Sequence, residues 1–255
     1  MASVNGCRPP RPCANLMDPL IPLAILAIFL GAFTQSMTGF GSALVAMSVL
    51  PTLLGLGTAS PLVAVTSMTL EIMLTIRYRQ SLRVDAIWRV LVASLTAIPF
   101  GMFLLRQVDD RIALFILGFI LTSYSIYALI GLRLPTLSHP LWPWFTGIIA
   151  GLLGGAYNTP GPPVIVYGNC RGWDASQFKS NLSGFFVVNS FFVTATHFFS
   201  GHYSADVTRL VLYCLPGTLL GFLLGQSMDR WLNPARFRNI VLVLLAVLGV
   251  KLMLG

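Results

Sequence analysis

The chain predicts an all-α polytopic membrane protein, built of two repeated halves whose first segments are broken. Three observations carry this. Hydrophobic residues make up 56% of the 255 positions and charged residues 9%, against about 45–50% and roughly 25% in a soluble domain. The mean hydropathy of +0.80 leaves too little polar surface to cover a globule. The apolar stretches are continuous rather than alternating at period two, which excludes a barrel.

The first sixteen residues, with Cys7, Arg8-Pro9-Pro10-Arg11-Pro12 and Cys13, contain no apolar region and read as a disordered tail, not a signal peptide. Met17 is a second candidate start. Beyond it run five apolar segments per half. The first half (17–132) has 19–37, 42–56, 61–76, 86–105 and 112–132. A linker over 133–140, with Arg133, Pro135 and His139, leads to the second half (141–255), with 141–156, a short 163–167, 182–199, 207–225 and 237–254. A crossing needs roughly 20 residues. The segments beside the breaks fall short of that and the last three of each half reach it, giving eight to ten transmembrane or re-entrant segments. Pro99 and Pro216 sit where they would kink helices.

The breaks are the informative part. The first reads Gly31-Ala32-Phe33-Thr34-Gln35-Ser36-Met37-Thr38-Gly39-Phe40-Gly41-Ser42, the second Gly151-Leu152-Leu153-Gly154-Gly155-Ala156-Tyr157-Asn158-Thr159-Pro160-Gly161-Pro162-Pro163. They stand 120 positions apart, so that Gly31 meets Gly151, Gly41 meets Gly161, Gly101 meets Gly221 and Asp109 meets Asp229. Matched Gly/Pro-broken segments in two halves of a membrane chain point to the substrate site of a secondary transporter. Irregular backbone survives in hydrocarbon only where it is buried in protein or lines a cavity. Three prolines in four positions (160, 162, 163) cannot form a helix interior. A helix restarting after each break would aim free N–H groups and its positive dipole end at the cavity, a site for an anion without a fixed cation. The candidate ligands are Gln35, Thr38, Gly39, Gly41, Ser42, Tyr157, Asn158, Thr159 and Gly161, with Thr34 and Ser36 beside them. Gly31 and Gly151, inside apolar runs, read as packing residues.

Charge gives orientation. Placing the 77–89 loop, the linker, the 171–179 loop and the 230–238 loop on the cytoplasmic side puts 10 Lys and Arg there and 6 on the other face, as the positive-inside rule favours. All five tryptophans (Trp88, Trp142, Trp144, Trp173, Trp231) border those loops. The basic 77–89 loop has as its counterpart the stretch with His197, His202 and Asp206, a contrast that favours an inverted over a parallel repeat. The net charge of +8 is dispersed through short loops and does not read as nucleic-acid binding; the partners are the lipid bilayer and a small anionic solute, with a homo-oligomer left open.

At the broken segments the chain resembles the TauE/SafE family of sulfite and organosulfonate exporters. The resemblance rests on Gly39-Phe40-Gly41, on Gly151-Leu152-Leu153-Gly154-Gly155 with Pro160-Gly161-Pro162-Pro163, and on the third segments, Ala64-Val65-Thr66-Ser67 and Phe178-Lys179-Ser180-Asn181. It spans residues 17–255. Half one departs from the family pattern, with Ser36-Met37-Thr38 before Gly39 in place of a fuller glycine cluster. The resemblance implies a permease for small sulfur-containing anions, exporting them across the bacterial inner membrane.

Glu71 is the acidic side chain well inside a segment. It reads either as a proton carrier coupled to transport or as a structural residue paired near the interface, six positions before Arg77. Lys179 reads as a headgroup-facing lysine or as an attractor for the anion. His139, His197 and His202 lie at span ends with no partner pattern and read as interfacial; Asp109, Asp110 and Asp229 read as loop or cap residues. The four cysteines lack metal spacing, and neither metal nor cofactor is expected. Transport by alternating access is the leading reading. An intramembrane enzyme lacks convergent acids, bases or nucleophiles in the spans; a channel or non-transporting assembly subunit is the other alternative.

Overall fold

The computed structural model describes residues 20–131, 136–137, 139–228 and 234–254. The tail with Met17, Arg133 and Pro135 of the linker, and Asp229, Arg230 and Trp231 lie outside the described residues. Among the described residues, the chain folds into α1 (Ile21–Thr38), α2 (Ser42–Leu54), α3 (Leu56–Tyr78), α4 (Val84–Gln107), α5 (Asp110–Ile130), α6 (Trp142–Tyr157), α7 (Gly161–Cys170), α8 (Ala175–Phe199), α9 (Ala205–Met228) and α10 (Pro234–Leu254). Seven of them (α1, α3, α4, α5, α8, α9 and α10) are long and apolar enough to cross a membrane. The rest belong to the broken segments.

The ten helices correspond to the ten expected segments, with three shifts at the ends. α3 starts at Leu56, after Gly55 in positive φ, and carries Pro61 inside the helix. The short 163–167 segment extends to ten residues, Gly161–Cys170, since its prolines occupy the first turn, where an amide hydrogen has no intrahelical partner. α8 starts at Ala175 because Asp174 caps it, accepting from the Ser176 and Gln177 N–H groups at 2.9 and 2.8 Å. Lys179 therefore lies in the second turn of α8. Asp109 caps α5 in the same way, through the Arg111 N–H at 2.8 Å. Pro99 and Pro216 both stand inside long helices, α4 and α9.

Helix packing runs between the halves. Ile25, Phe29 and Phe33 of α1 meet Gly217, Gly221 and Gly225 of α9 in turn, so these helices lie parallel. In the same way Val90, Ser94 and Ile98 of α4 meet Gly147, Gly151 and Gly155 of α6. A Cβ added to Gly155 would sit 2.1 Å from the Ile98 carbonyl oxygen, so nothing larger than hydrogen fits between these backbones. α3 lies antiparallel to α8, with Thr75 donating to the Ser183 carbonyl at 3.0 Å and Ser60 beside His197. α5 lies antiparallel to α10, with Gly118 against Leu252 and Thr122 donating to the Ala246 carbonyl at 3.5 Å.

Two hairpins result, and they point in opposite directions. α2 folds back along α1, with Ser42 against Gly31 and Ala46 beside Ile28. Its open end lies with Gly55 at the end of the bundle that holds Ser60, His197 and His202. α7 folds back along α6, with Tyr167 beside Pro143. Its open end lies at the basic end, near Arg89 and Arg171.

Candidate functional site

The first tip is made by Gly39 and Gly41, whose φ of 86° and 112° are in the left-handed region that glycine adopts without strain. Just before them Thr38 closes the turn: its hydroxyl donates to the Thr34 carbonyl at 2.9 Å and reaches the Phe40 carbonyl at 2.7 Å. Gln35, one turn earlier, ties the tip to two other elements. Its Oε1 accepts the Ser42 N–H at 2.9 Å, taking up the first donor of α2, and its Nε2 donates to Glu71 Oε1.

The second tip turns at Asn158, the non-glycine residue with positive φ (55°) among the described residues. Asparagine tolerates this region better than most side chains. Its N–H closes α6 on the Gly154 carbonyl at 2.9 Å, and its Nδ2 gives both hydrogens to Ser60, one to the carbonyl and one to Oγ, each at 2.8 Å. Asn158 is thus pinned to α3 at Ser60, as Gln35 is at Glu71, eleven positions further on.

Both tips open on one small cavity, lined by Gln35, Phe40–Leu44, Ser67, Glu71, Asn158–Gly161, Phe186 and Ser190. Six of the nine expected ligands have a place there or on its wall: Gln35, Gly41, Ser42, Asn158, Thr159 and Gly161. Glu71 lines it as well. It is 3% exposed, and its Oε2 has no hydrogen-bond partner; the same holds for the Thr159 hydroxyl, in a residue 1% exposed. Thr38 and Gly39 stand just outside. Thr38 borders a narrow cleft with Thr34, Gly41 and Arg238, and Gly39 packs on the stem of Lys179. Tyr157 is buried in the core beside the tip rather than on the cavity wall. Lys179 lies half-buried, its Nζ 5.6 Å from the centre of the Tyr78 ring.

Among the described residues the lining carries no Lys or Arg, so an anion here would depend on neutral donors and on helix ends. Those ends are unequal. α2 offers the Ala43 and Leu44 N–H groups, since Gln35 holds that of Ser42. In the first turn of α7, Pro162 and Pro163 have no amide hydrogen, leaving that of Gly161.

Sequence reasoning missed Ser60, Ser67, Phe186 and Ser190. Each sits on α3 or α8, the helices behind the tips; only the fold brings Ser67, Phe186 and Ser190 to the cavity and Ser60 to Asn158. His197 and His202 overturn the expectation of unpartnered interfacial residues. His197 is 3% exposed, and its Nδ1 lies 2.7 Å from Nδ1 of His202.

The chain matches the family model for the sulfite exporter TauE/SafE over residues 23–252. It is 27% identical over 253 residues to a probable sulfite/organosulfonate exporter TauE of Cupriavidus necator, covering 94% of this chain and 96% of that one. It is 27% identical over 171 residues to a probable inner membrane transporter protein TsaS of Comamonas testosteroni, covering 65% and 72%. No solved structure matches the chain. Ten helices around paired hairpin tips, and a family match over nearly the whole length, make this chain a member of the TauE/SafE sulfite exporter family of membrane transporters.

Proposed function

We propose that this chain is a secondary transporter that carries a small anion, sulfite or an organosulfonate, outward across the bacterial inner membrane by alternating access. The observation that supports it most is the shared cavity: two hairpin tips entering from opposite ends of the bundle line one buried space. The names of the two relatives supply the substrate class and the membrane.

In this reading the anion is held by the Thr159 and Ser42 hydroxyls, the Gly161 N–H and the first-turn N–H groups of α2, supported by positive dipole ends. Gln35 and Asn158 keep the tips in place, and each brings its polar side chain to the wall. Thr38, Gly39 and Gly41 shape the first tip, and Tyr157 anchors the second. Glu71 carries a proton. A neutral carboxyl can share the cavity with an anion, whereas a carboxylate repels it, so proton and anion occupancy are linked. Lys179, beside the first tip at the basic end, draws anions toward the cavity from the cytoplasmic side.

The exchange of partners (α1 with α9, α6 with α4) supports an inverted repeat over 17–132 and 141–255. It also changes what can move. The sequence halves are interleaved, so the rocking bodies are the α1–α2–α9 group and the α6–α7–α4 group, not one half against the other. Purified protein in liposomes should transport sulfite or a small sulfonate, and Asn158→Ala with Thr159→Ala should weaken binding. Flux no greater than in protein-free liposomes, across sulfite, sulfonates and carboxylates, would overturn the reading; unitary currents in a bilayer recording would replace the carrier by a channel.

A further inference from the structure

We propose that His197 and His202 form a proton-binding site that sets the hydrogen bonds of the second hairpin tip. The sequence holds three histidines, and two of them meet here. Their rings lie with centroids 5.0 Å apart, and the two Nδ1 atoms are separated by 2.7 Å. Such a contact requires one hydrogen between the nitrogens. Two neutral rings satisfy it, and so does one neutral ring with one imidazolium, but two imidazolium rings do not. The pair therefore takes up one proton before it must come apart.

The pair is wired inward. His197 Nε2 lies 3.2 Å from Ser60 Oγ, and that same oxygen accepts one hydrogen of Asn158 Nδ2 at 2.8 Å. For the neutral pair we assign the shared hydrogen to His197 Nδ1, so that its Nε2 accepts from the Ser60 hydroxyl. The added proton binds at His197 Nε2, and the imidazolium donates from both nitrogens, to His202 Nδ1 and to Ser60 Oγ. No bond other than N–H forms, and the charge of the pair rises by one. Ser60 then accepts from His197 and Asn158 together, and its own hydrogen turns away from the ring. A positive charge now lies one serine away from Asn158 on the cavity wall.

The access is from the end opposite the basic loops. His202, in the turn after α8, is half-buried, while His197 is enclosed. Around the pair, Tyr203 sets its ring 6.4 Å from that of His197 and donates to the Pro61 carbonyl at 3.4 Å. Asp206 and Arg209 stand in the first turns of α9, with Arg209 5.6 Å from the Tyr213 ring centre. From α3 the neighbours are Ser60 and Pro61, and from α4 Met102, beside Ser200.

The consequence for transport rests on the anion-carrier reading; the proton site itself does not. The test is a histidine ¹³C NMR titration of the purified full chain in lipid nanodiscs, with His139→Gln leaving only the pair. The two resonances should move together in a first step and again in a second, well-separated step. Ser60→Ala and His202→Gln should each shift the His197 midpoint by roughly one pH unit, the equivalent of one hydrogen bond. A saturating alkyl sulfonate should raise the first midpoint of the intact pair. Two resonances that titrate independently, each near the ordinary histidine value of about 6.5 and indifferent to both substitutions, would overturn the proposal. A coupled titration that the sulfonate leaves unmoved would retain the proton site and count against the anion-carrier reading.

Discussion

Glu71→Gln is the sharpest probe of the cavity. The substitution keeps the shape and leaves an oxygen to accept from Gln35 Nε2, while removing the charge of a carboxyl that lines the cavity and whose Oε2 has no partner. The cavity is narrow, so an anion held in it stands on the order of 4 Å from the carboxyl that lines it. Two like charges separated by about 4 Å repel by about 4 kcal/mol at an effective dielectric constant of 20, a factor of roughly 10²–10³ in affinity. An alkyl sulfonate suits the measurement, because it keeps its single charge across the pH range. Calorimetric titration at about pH 9.5, where histidines are neutral in both proteins, should show Glu71→Gln binding the sulfonate more tightly than the wild type by up to that factor. As pH falls and Glu71 takes its proton, the wild type should gain affinity and the two curves converge. Wild type and variant binding equally at alkaline pH would refute the placement of the anion beside this carboxyl.

Thr159→Val removes a hydroxyl with no protein partner; losing a hydrogen bond to a charged ligand should cost about 1.5–3 kcal/mol of binding, roughly ten- to a hundredfold, with unfolding temperature unchanged. Gly155→Ala places a methyl 2.1 Å from the Ile98 carbonyl oxygen, so α4 and α6 must separate; a loss of about 1–3 kcal/mol of stability should be seen by thermal unfolding in detergent. Asn158→Gly keeps the left-handed turn but drops both bonds to Ser60, and should bind the sulfonate more weakly while remaining more stable than Asn158→Ala, which adds about 1–2 kcal/mol of backbone strain.

Much of this site could be read from the residues. Two runs of glycine and proline inside apolar segments located both tips, and hydrophobic continuity located the helices. What remained hidden depends on neighbours that are remote in sequence. Gly151 and Gly155 looked alike as small residues; that both lie on the backbone of α4 follows only from the packing. Gln35 and Asn158 read as ligands because both are amides beside a break, yet in the fold both hold their tips to α3. Ser60 and His197 are separated by 137 positions, and no local pattern joins them. The unequal helix ends could have been read earlier, from Pro162 and Pro163 alone.

The partner exchange has a bearing on how the molecule is made. α1 emerges early in synthesis, but the glycine face that receives it lies on α9, and almost the whole chain must be threaded into the bilayer before that face exists. Until then the first hairpin waits with Gln35 held by Ser42 and by Glu71 of α3, and with its α9-facing side against lipid or the insertion machinery. A polypeptide cut in its 133–140 stretch would yield two fragments that each lack the other's bracing helix. Folding should therefore complete late and all at once, and a ribosome stalled after α8 would leave a nascent protein with its first hairpin still unclasped.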